Sequence, residues 1–321
     1  MTQTILITGG TGTQGGLTIR SLLEISKSTS TPVTIHALVR DPESAAAKEL
    51  AALSDSVKLF QGDFDTIASI EAAAKGASAV FINVSPVLED WGAELRHGRN
   101  IIAASKSAGV RRALYSSVSI LGNEATVEAA TKLGLTRFPA AYVHSKSTVE
   151  KEVQSAGWPD GWSLLRPATF FSNLTGPHAA WMFPELATKG VYKSALNPNL
   201  KIDFLDPGDI GLFAATILTG EPAKWNKEII PLASIAWTAD EVAAALTKAV
   251  DGRKTIKAES IPKEVAEPLA ATNPIIDVQL FQNQVTKPVN LEKVKGYGLP
   301  LGTWESFVER NKADVERTVG L

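Results

Sequence analysis

Tyr142 and Lys146 have the types and spacing of a proton-handling pair. They stand four positions apart in the run Tyr-Val-His-Ser-Lys, one helical turn, so a phenol and an ammonium project from the same face. Upstream, Tyr115-Ser116-Ser117-Val118 closes an apolar run. It would present hydroxyls at the C-terminal edge of a parallel sheet, where ligands bind in open α/β folds. A second constellation lies near the N-terminus, where Ile5 to Gly16 reads Ile-Leu-Ile-Thr-Gly-Gly-Thr-Gly-Thr-Gln-Gly-Gly. Gly10, Gly12 and Gly15 fit G-x-G-x-x-G: the first glycine permits a tight turn, the second lets backbone approach a pyrophosphate, and the third lets helix pack close on strand. The helix that follows would aim unpaired N–H groups and its positive dipole end at the phosphates. Taken alone, a surface Tyr–Lys pair and a plain strand-to-helix turn explain these residues equally well.

The surrounding elements decide between these readings. Candidate strands are Ile5 to Thr8, Val33 to Val39, Val57 to Gln61, Ala79 to Val84, Ala113 to Val118 and Ser163 to Arg166. Between them lie alanine- and leucine-rich stretches that favour helix, at Pro42 to Leu53, Thr66 to Lys75, Gly92 to Ser107 and Tyr142 to Ala156. Leu17, Ile19, Leu22 and Leu23 make an amphipathic stripe after the glycines, and Ser26 to Thr31 reads as a surface loop. This alternation predicts an α/β fold, a Rossmann-type doubly wound parallel sheet with a smaller C-terminal α/β substrate lobe. The expected division is 1–166 for the dinucleotide-binding domain, with 201–220 and 228–232 returning to it as strand-bearing segments, and 167–200 plus 233–321 for the lobe.

Composition narrows the function classes. Apolar residues at 44%, charged residues at 21% and a formal charge of −2 are ordinary globular values, with no field to attract nucleic acid or an anionic membrane. Zero cysteines exclude disulfides, thiolate catalysis and zinc-thiolate sites. The N-terminus has no basic n-region and the chain no transmembrane-length run, so a soluble, cytoplasmic protein is expected and the Asn173-Leu174-Thr175 sequon carries no weight. His36, His97, His144 and His178 show no metal-ligand spacing, and no G-x-S-x-G elbow marks a serine hydrolase. No metal site is expected.

The residues at the strand ends point to one cofactor. An NAD site places Asp or Glu at the end of the second strand, roughly 20 residues past the glycines; here that end reads Leu38-Val39-Arg40-Asp41. The guanidinium fork of Arg40 suits a 2′-phosphate and favours NADP(H). The alternative is a solvated Arg40 with Asp41 capping a helix that begins at Pro42. Asp63 in Gly62-Asp63-Phe64 could accept a hydrogen bond from the adenine amino group, and Asn83 to Pro86 would pass near the nicotinamide ribose. Turn formation accounts for these residue types as well.

With these residues in view, the chain resembles the short-chain dehydrogenase/reductase superfamily and, within it, the atypical NmrA-like branch. The glycine loop, the Gly62-Asp63-Phe64-Asp65 turn, the segment Tyr142 to Glu150 and the run Leu165 to Asn173 carry the likeness, over residues 1 to about 220. Ser116 to Gly122 reproduces an S-S-x-x-x-x-G context, which by resemblance points to Ser117 as catalytic beside Tyr142 and Lys146. The cofactor set implied is Gly10, Gly12, Thr13, Gln14, Gly15, Arg40, Asp63, Phe64, Asn83, Val84, Ser85, Lys146, Pro167, Thr169 and Phe170. The implied mechanism is hydride transfer between nicotinamide C4 and a substrate carbon, with Tyr142 exchanging the proton, Ser117 holding the substrate oxygen and Lys146 holding the ribose. A tyrosine pKa of about 10 would have to fall by about 3 units, roughly 4 kcal/mol, with Lys146 and the nicotinamide charge as the source. Many NmrA-like proteins are described as sensors or regulators that lack the tyrosine; this chain keeps Tyr142.

The leading expectation is an NADP(H)-dependent oxidoreductase acting on a small or medium apolar carbonyl or alcohol. Phe170, Phe171 and Trp181 are the candidates for a substrate wall, although an aromatic cluster that also includes Phe183 is more often core. A non-catalytic NADP(H) sensor binding a protein partner is the runner-up, and isomerisation through transient oxidation a third possibility.

Overall fold

Apolar runs in the first half become strands close to where their composition places them. The computed structural model describes residues 2–321. Its first half runs β1 (Gln3–Ile7), α1 (Thr13–Thr29), β2 (Val33–Val39), α2 (Ala45–Ala51), β3 (Val57–Gln61), α3 (Ile67–Ala74), β4 (Ala79–Ile82), α4 (Ala93–Ser107), β5 (Arg112–Ser116), α5 (Ala125–Leu133), α6 (Phe138–Ser155) and β6 (Trp162–Pro167). After these come β7 (Thr169–Phe170), α7 (Gly176–Met182), α8 (Glu185–Lys189), β8 (Val191–Ser194), β9 (Ile202–Leu205), α9 (Pro207–Thr219), α10 (Pro222–Trp225), β10 (Glu228–Leu232), β11 (Ile235–Trp237) and α11 (Ala239–Ala249). The chain closes with β12 (Lys257–Ser260), α12 (Lys263–Leu269), α13 (Pro274–Val285), α14 (Leu291–Lys295), α15 (Trp304–Arg310) and α16 (Lys312–Thr318).

Seven strands form the main sheet in the order β10-β6-β5-β4-β1-β2-β3, and the pairs from β3 through β6 are parallel. This is the 3-2-1-4-5-6 order of dinucleotide-binding folds, whose switch point falls between β1 and β4. Ile5, Leu6 and Ile7 of β1 are wholly buried, as expected of a parallel strand covered on both faces.

Contacts divide the chain into two units. The first holds residues up to Val118, Ser145–Arg166 and Pro207–Ile230; the second holds Ser119–His144, Pro167–Asp206 and Pro231–Leu321. In the first, Leu6, Ile82, Tyr115, Val149 and Leu164 belong to one apolar core. The second contains a three-stranded sheet, β11-β9-β7, a parallel β8–β12 pair, and a core built on Phe171, Phe204, Leu246, Trp304 and Phe307.

Several expectations change. The strand at 202–205 forms, but in the three-stranded sheet and not the main one: Phe204 pairs with Thr169 and with Ile235, and its ring joins the second unit's aromatic core. The strand at 228–232 does enter the main sheet. Ser26 to Thr29 is the last turn of α1 and not loop, with Ser28 and Thr29 hydroxyls donating to the Ile25 carbonyl. Helix α2 starts at Ala45 and not Pro42, because Ser44 is its N-cap and accepts from the Ala47 N–H. Asp41 instead turns the chain before it, accepting from the Glu43 N–H.

Candidate functional site

The C-terminal ends of β1, β4 and β5 converge with the start of α1. Thr8, just past β1, ties β4 in place: its hydroxyl donates to the Phe81 carbonyl at 2.9 Å and accepts from the Asn83 N–H at 2.8 Å. Gly9 then adopts a positive φ of 66°, so the tight turn belongs to Gly9, one residue before the glycine expected to make it. A Cβ on Gly15 would lie 2.2 Å from the Gly9 carbonyl oxygen. Only glycine lets α1 start this close to the strand.

Helix α1 begins with no side-chain cap and no acidic residue in its first turn, on an exposed Gly12 in extended conformation. Its first N–H groups therefore face outward without a side-chain acceptor, the condition under which a helix start binds an anion. Thr13 is exposed and Gln14 is half-buried. The Gln14 side chain turns to β5, where its carbonyl oxygen accepts from the Ser116 hydroxyl at 2.6 Å.

Arg40 is exposed past the end of β2 and has no ion-pair partner among the described residues. Asp63 is exposed as well, and its Oδ1 accepts from the Asp65 and Thr66 N–H groups at 2.9 and 2.8 Å, so one carboxylate oxygen shapes the turn into α3. The Phe64 carbonyl accepts from Asn100 on α4 at 2.8 Å, and its ring meets His97 edge-on. Arg96 and His97 bind Asp65, and these contacts, Arg96 first, hold its carboxyl below the usual range.

Ser117 is buried, and its hydroxyl has no hydrogen-bond partner among the described residues, although its N–H donates to the Leu165 carbonyl at 2.8 Å. Asn83 Oδ1 is likewise buried without a donor. Orphaned buried polar atoms are rare and ask for a ligand or water. Val84 is buried and Ser85 exposed.

Lys146 is only 4% exposed. Its ammonium makes an ion pair with Glu94 at 2.9 Å, donates to the Val84 carbonyl at 3.0 Å and the Ser116 carbonyl at 3.4 Å, and lies 5.4 Å from the Tyr115 ring centroid. Glu94 belongs to none of the sequence motifs that mark the site. Its signal was there: Glu94, Gly98, Ile101, Ile102 and Ser105 are all buried on α4, so a carboxylate sits on the apolar stripe of an amphipathic helix. A Cβ on Gly98 would meet Val149 of α6 at 2.6 Å, and this close crossing brings Glu94 to Lys146. Burial pushes the Glu94 carboxyl up, against the pull of Lys146.

Tyr142 is half-buried, one turn before Lys146 on α6, and its ring stacks on Phe138 at 6.2 Å. The unit boundary crosses α6 between His144 and Ser145. Pro167 is buried at the end of β6, and Thr169 and Phe170 are half-buried in β7. Phe171 is fully buried and packs on Phe204, Trp237, Trp304 and Phe307. Trp181, by contrast, is 53% exposed. No helix among the described residues is long and apolar enough to cross a membrane.

Comparison with known proteins shows what the chain is similar to. A NAD(P)H azoreductase from Xenophilus azovorans is 29% identical over 246 residues, 76% of this chain and 73% of that protein. The fold matches an Escherichia coli NADPH-dependent quinone oxidoreductase solved with NADPH, at 24% identity and TM-score 0.70, over 95% of this chain and 99% of that one. It also matches NmrA, a negative transcriptional regulator solved with NAD, at 20% identity and TM-score 0.72, over 100% of this chain and 98% of that one. The NmrA-like family itself matches across residues 1–300, and the chain belongs to that family.

Proposed function

We propose that the protein is an NADP(H)-dependent oxidoreductase that transfers hydride to or from a small or medium apolar carbonyl or alcohol, with Tyr142 as proton donor or acceptor. The observation that carries this reading is the buried, unpartnered Ser117 hydroxyl at the sheet edge where α1 starts uncapped on glycine. The glycine loop with Thr13 and Gln14 would hold the pyrophosphate, Arg40 the 2′-phosphate and the remaining Asp63 oxygen the adenine. Phe64 would flank the adenine, while Asn83, Val84, Ser85, Pro167, Thr169 and Phe170 would line the nicotinamide and its ribose. Bound, the nicotinamide supplies or takes a hydride. Ser117 would orient the substrate oxygen, Tyr142 would exchange a proton at that oxygen, and Lys146 would serve the ribose. Phe170 and Trp181 are available to a substrate, whereas Phe171, the third residue expected in a substrate wall, is fully buried in the aromatic core.

The azoreductase and quinone oxidoreductase relatives make azo compounds and quinones the first acceptors to screen. Tyr142→Phe is expected to keep NADPH affinity and cut turnover by about 10²–10⁴-fold, the usual loss for a general acid or base. Unchanged turnover would remove the tyrosine from the chemistry. NADPH should raise the melting temperature more than NADH, and Arg40→Ala should erase the difference; equal shifts in the parent protein would remove the argument for NADP(H).

One observation favours a sensor. The Lys146 ammonium already has three protein acceptors, in Glu94 and the Val84 and Ser116 carbonyls, which a cofactor-binding regulator needs no catalysis to explain. Cofactor-dependent capture of a protein partner, with no turnover across the screened acceptors, would establish that reading.

A further inference from the structure

Within the second unit, β11, α11, α14, α15 and the loop leading into α15 line a cavity of about 890 Å³, inside the roughly 300–1,000 Å³ of small-molecule sites. Apart from Phe171, no residue proposed above for cofactor, substrate or proton transfer lines it. Helix α11 carries the alanine run Ala243 to Ala245, and Ala244 and Ala245 belong to the lining. Side chains this short leave open a space that larger ones would pack. Trp237 and Trp304 line the cavity too, with ring centroids 5.8 Å apart and planes at 85°, the edge-to-face arrangement that a further aromatic ring can extend.

The polar groups of the lining are few. Trp304 donates its indole N–H to the Ala245 carbonyl at 3.3 Å, whereas the indole N–H of half-buried Trp237 has no acceptor among the described residues. Lys248 and Lys295 bring two ammonium groups against one lining carboxylate, Glu305. Both lysines stand in exposed ion pairs, Lys248 with Glu305 at 3.0 Å and Lys295 with Glu292 at 2.8 Å. Such pairs contribute little, so either ammonium can turn to another anion at small cost. We propose that this cavity binds an aromatic anion, a flat ring system bearing a carboxylate or sulfonate. Its rings pack on Trp237 and Trp304, its charged group is taken by Lys248 and Lys295, and the Trp237 N–H supplies one more donor. A cation would meet two ammonium groups, and a saturated chain would leave the ring edges unused. None of the lining residues is needed for a dinucleotide, so binding here does not require NADP(H).

The probe is anilinonaphthalene sulfonate, titrated into the full chain by its fluorescence, with uncharged phenylnaphthylamine as the comparator. The parent should bind the sulfonate saturably and melt at a higher temperature with it, because a ligand taken up only by the folded state stabilises that state. Lys248→Gln/Lys295→Gln changes two exposed side chains, so the fold should persist. That variant is expected to weaken the sulfonate by about tenfold, the loss of one hydrogen bond to a charged group, and to leave phenylnaphthylamine unchanged. Ala245→Phe fills the space and should weaken both probes. Absence of saturable binding, a melting temperature lowered by the probe, or equal sulfonate affinity in the parent and the lysine variant overturns the proposal. Displacement of the sulfonate by NADPH would assign the probe to the dinucleotide site and overturns it too. Failure of NADPH to bind bears on the proposed function instead, and the lysine variant still decides the cavity. Self-association of the parent that the sulfonate reverses would assign the cavity to a second copy of the chain, which also overturns the proposal. Should Ala245→Phe fail to fold, the lysine variant and the melting shift decide.

Discussion

Helix α6 of the first unit and the aromatic core of the second are held by different interactions. In the first, α6 is fastened by a buried ion pair, Lys146 to Glu94 of α4, and by a half-buried one, Glu150 to Arg166 of β6 through two bonds of 2.9 and 2.7 Å. In the second, Phe171 sits among Phe204, Trp237, Trp304 and Phe307 with ring centroids 5.3–6.4 Å apart. Ion pairs are directional, and each partner is a liability without the other. Ring packing is shared among many contacts and loses energy roughly with the volume removed. The charged seam thus sets where α6 lies against the sheet edge, while the aromatic cluster supplies bulk stability to small sheets that could not persist alone.

Removing half of a buried pair should have the largest effect. Lys146→Ala leaves Glu94 buried and uncompensated and is expected to cost about 3–5 kcal/mol, measured by denaturant unfolding. Glu94→Leu/Lys146→Met should recover most of it, and a double variant as unstable as the single one would break the contrast drawn above. Phe171→Ala is expected to cost about 3–5 kcal/mol as well, but with no partner mutation to restore it. Phe171→Leu, which keeps much of the volume, should cost clearly less, and equal losses for Ala and Leu would show that ring geometry and not filled volume matters there.

A smaller effect tests a buried charge in the second unit that has no cation. Asp203 on β9 is buried, accepts from the Val289 N–H at 2.8 Å and has no donor at Oδ1 among the described residues; burial pushes its carboxyl from 3.8 up to about 6. A carboxyl raised in the folded state stabilises the protein below its unfolded pKa, and that stability is lost as pH rises through about 6. Asp203→Asn should remove this dependence: near parity at pH 4, and up to about 3 kcal/mol more stable than the parent at pH 8. A pH-independent difference between the two proteins would show that Asp203 is not the titrating group. The smallest change is at the surface, where Thr238 and Glu241 form a capping box at the start of α11. Thr238→Ala should cost about 1 kcal/mol, and a loss above about 2 kcal/mol would mean the cap anchors more than its helix.

Local chemistry in the sequence determined the elements. Apolar runs of strand length, alanine-rich helices and a glycine cluster placed β1 to β6, α1 to α4 and α6 within a few residues, because backbone preference and side-chain period act over one or two turns. The same local reading set Lys146 one turn beyond Tyr142, and Ser117 just past a strand end. Only the tertiary structure decided what these side chains touch. Glu94 reaches Lys146 because α4, which follows β4, packs against α6, and Gly98 lets the two helices close on each other. Ile202–Leu205 left the main sheet because its pairing partners, β7 and β11, come from distant segments. Phe171 went into the core while Trp181 stayed exposed, a difference that aromatic composition cannot carry. Burial and ion pairing are set by groups far apart in the chain, and the energy of each contact exists only once the whole topology has brought them within a few ångströms.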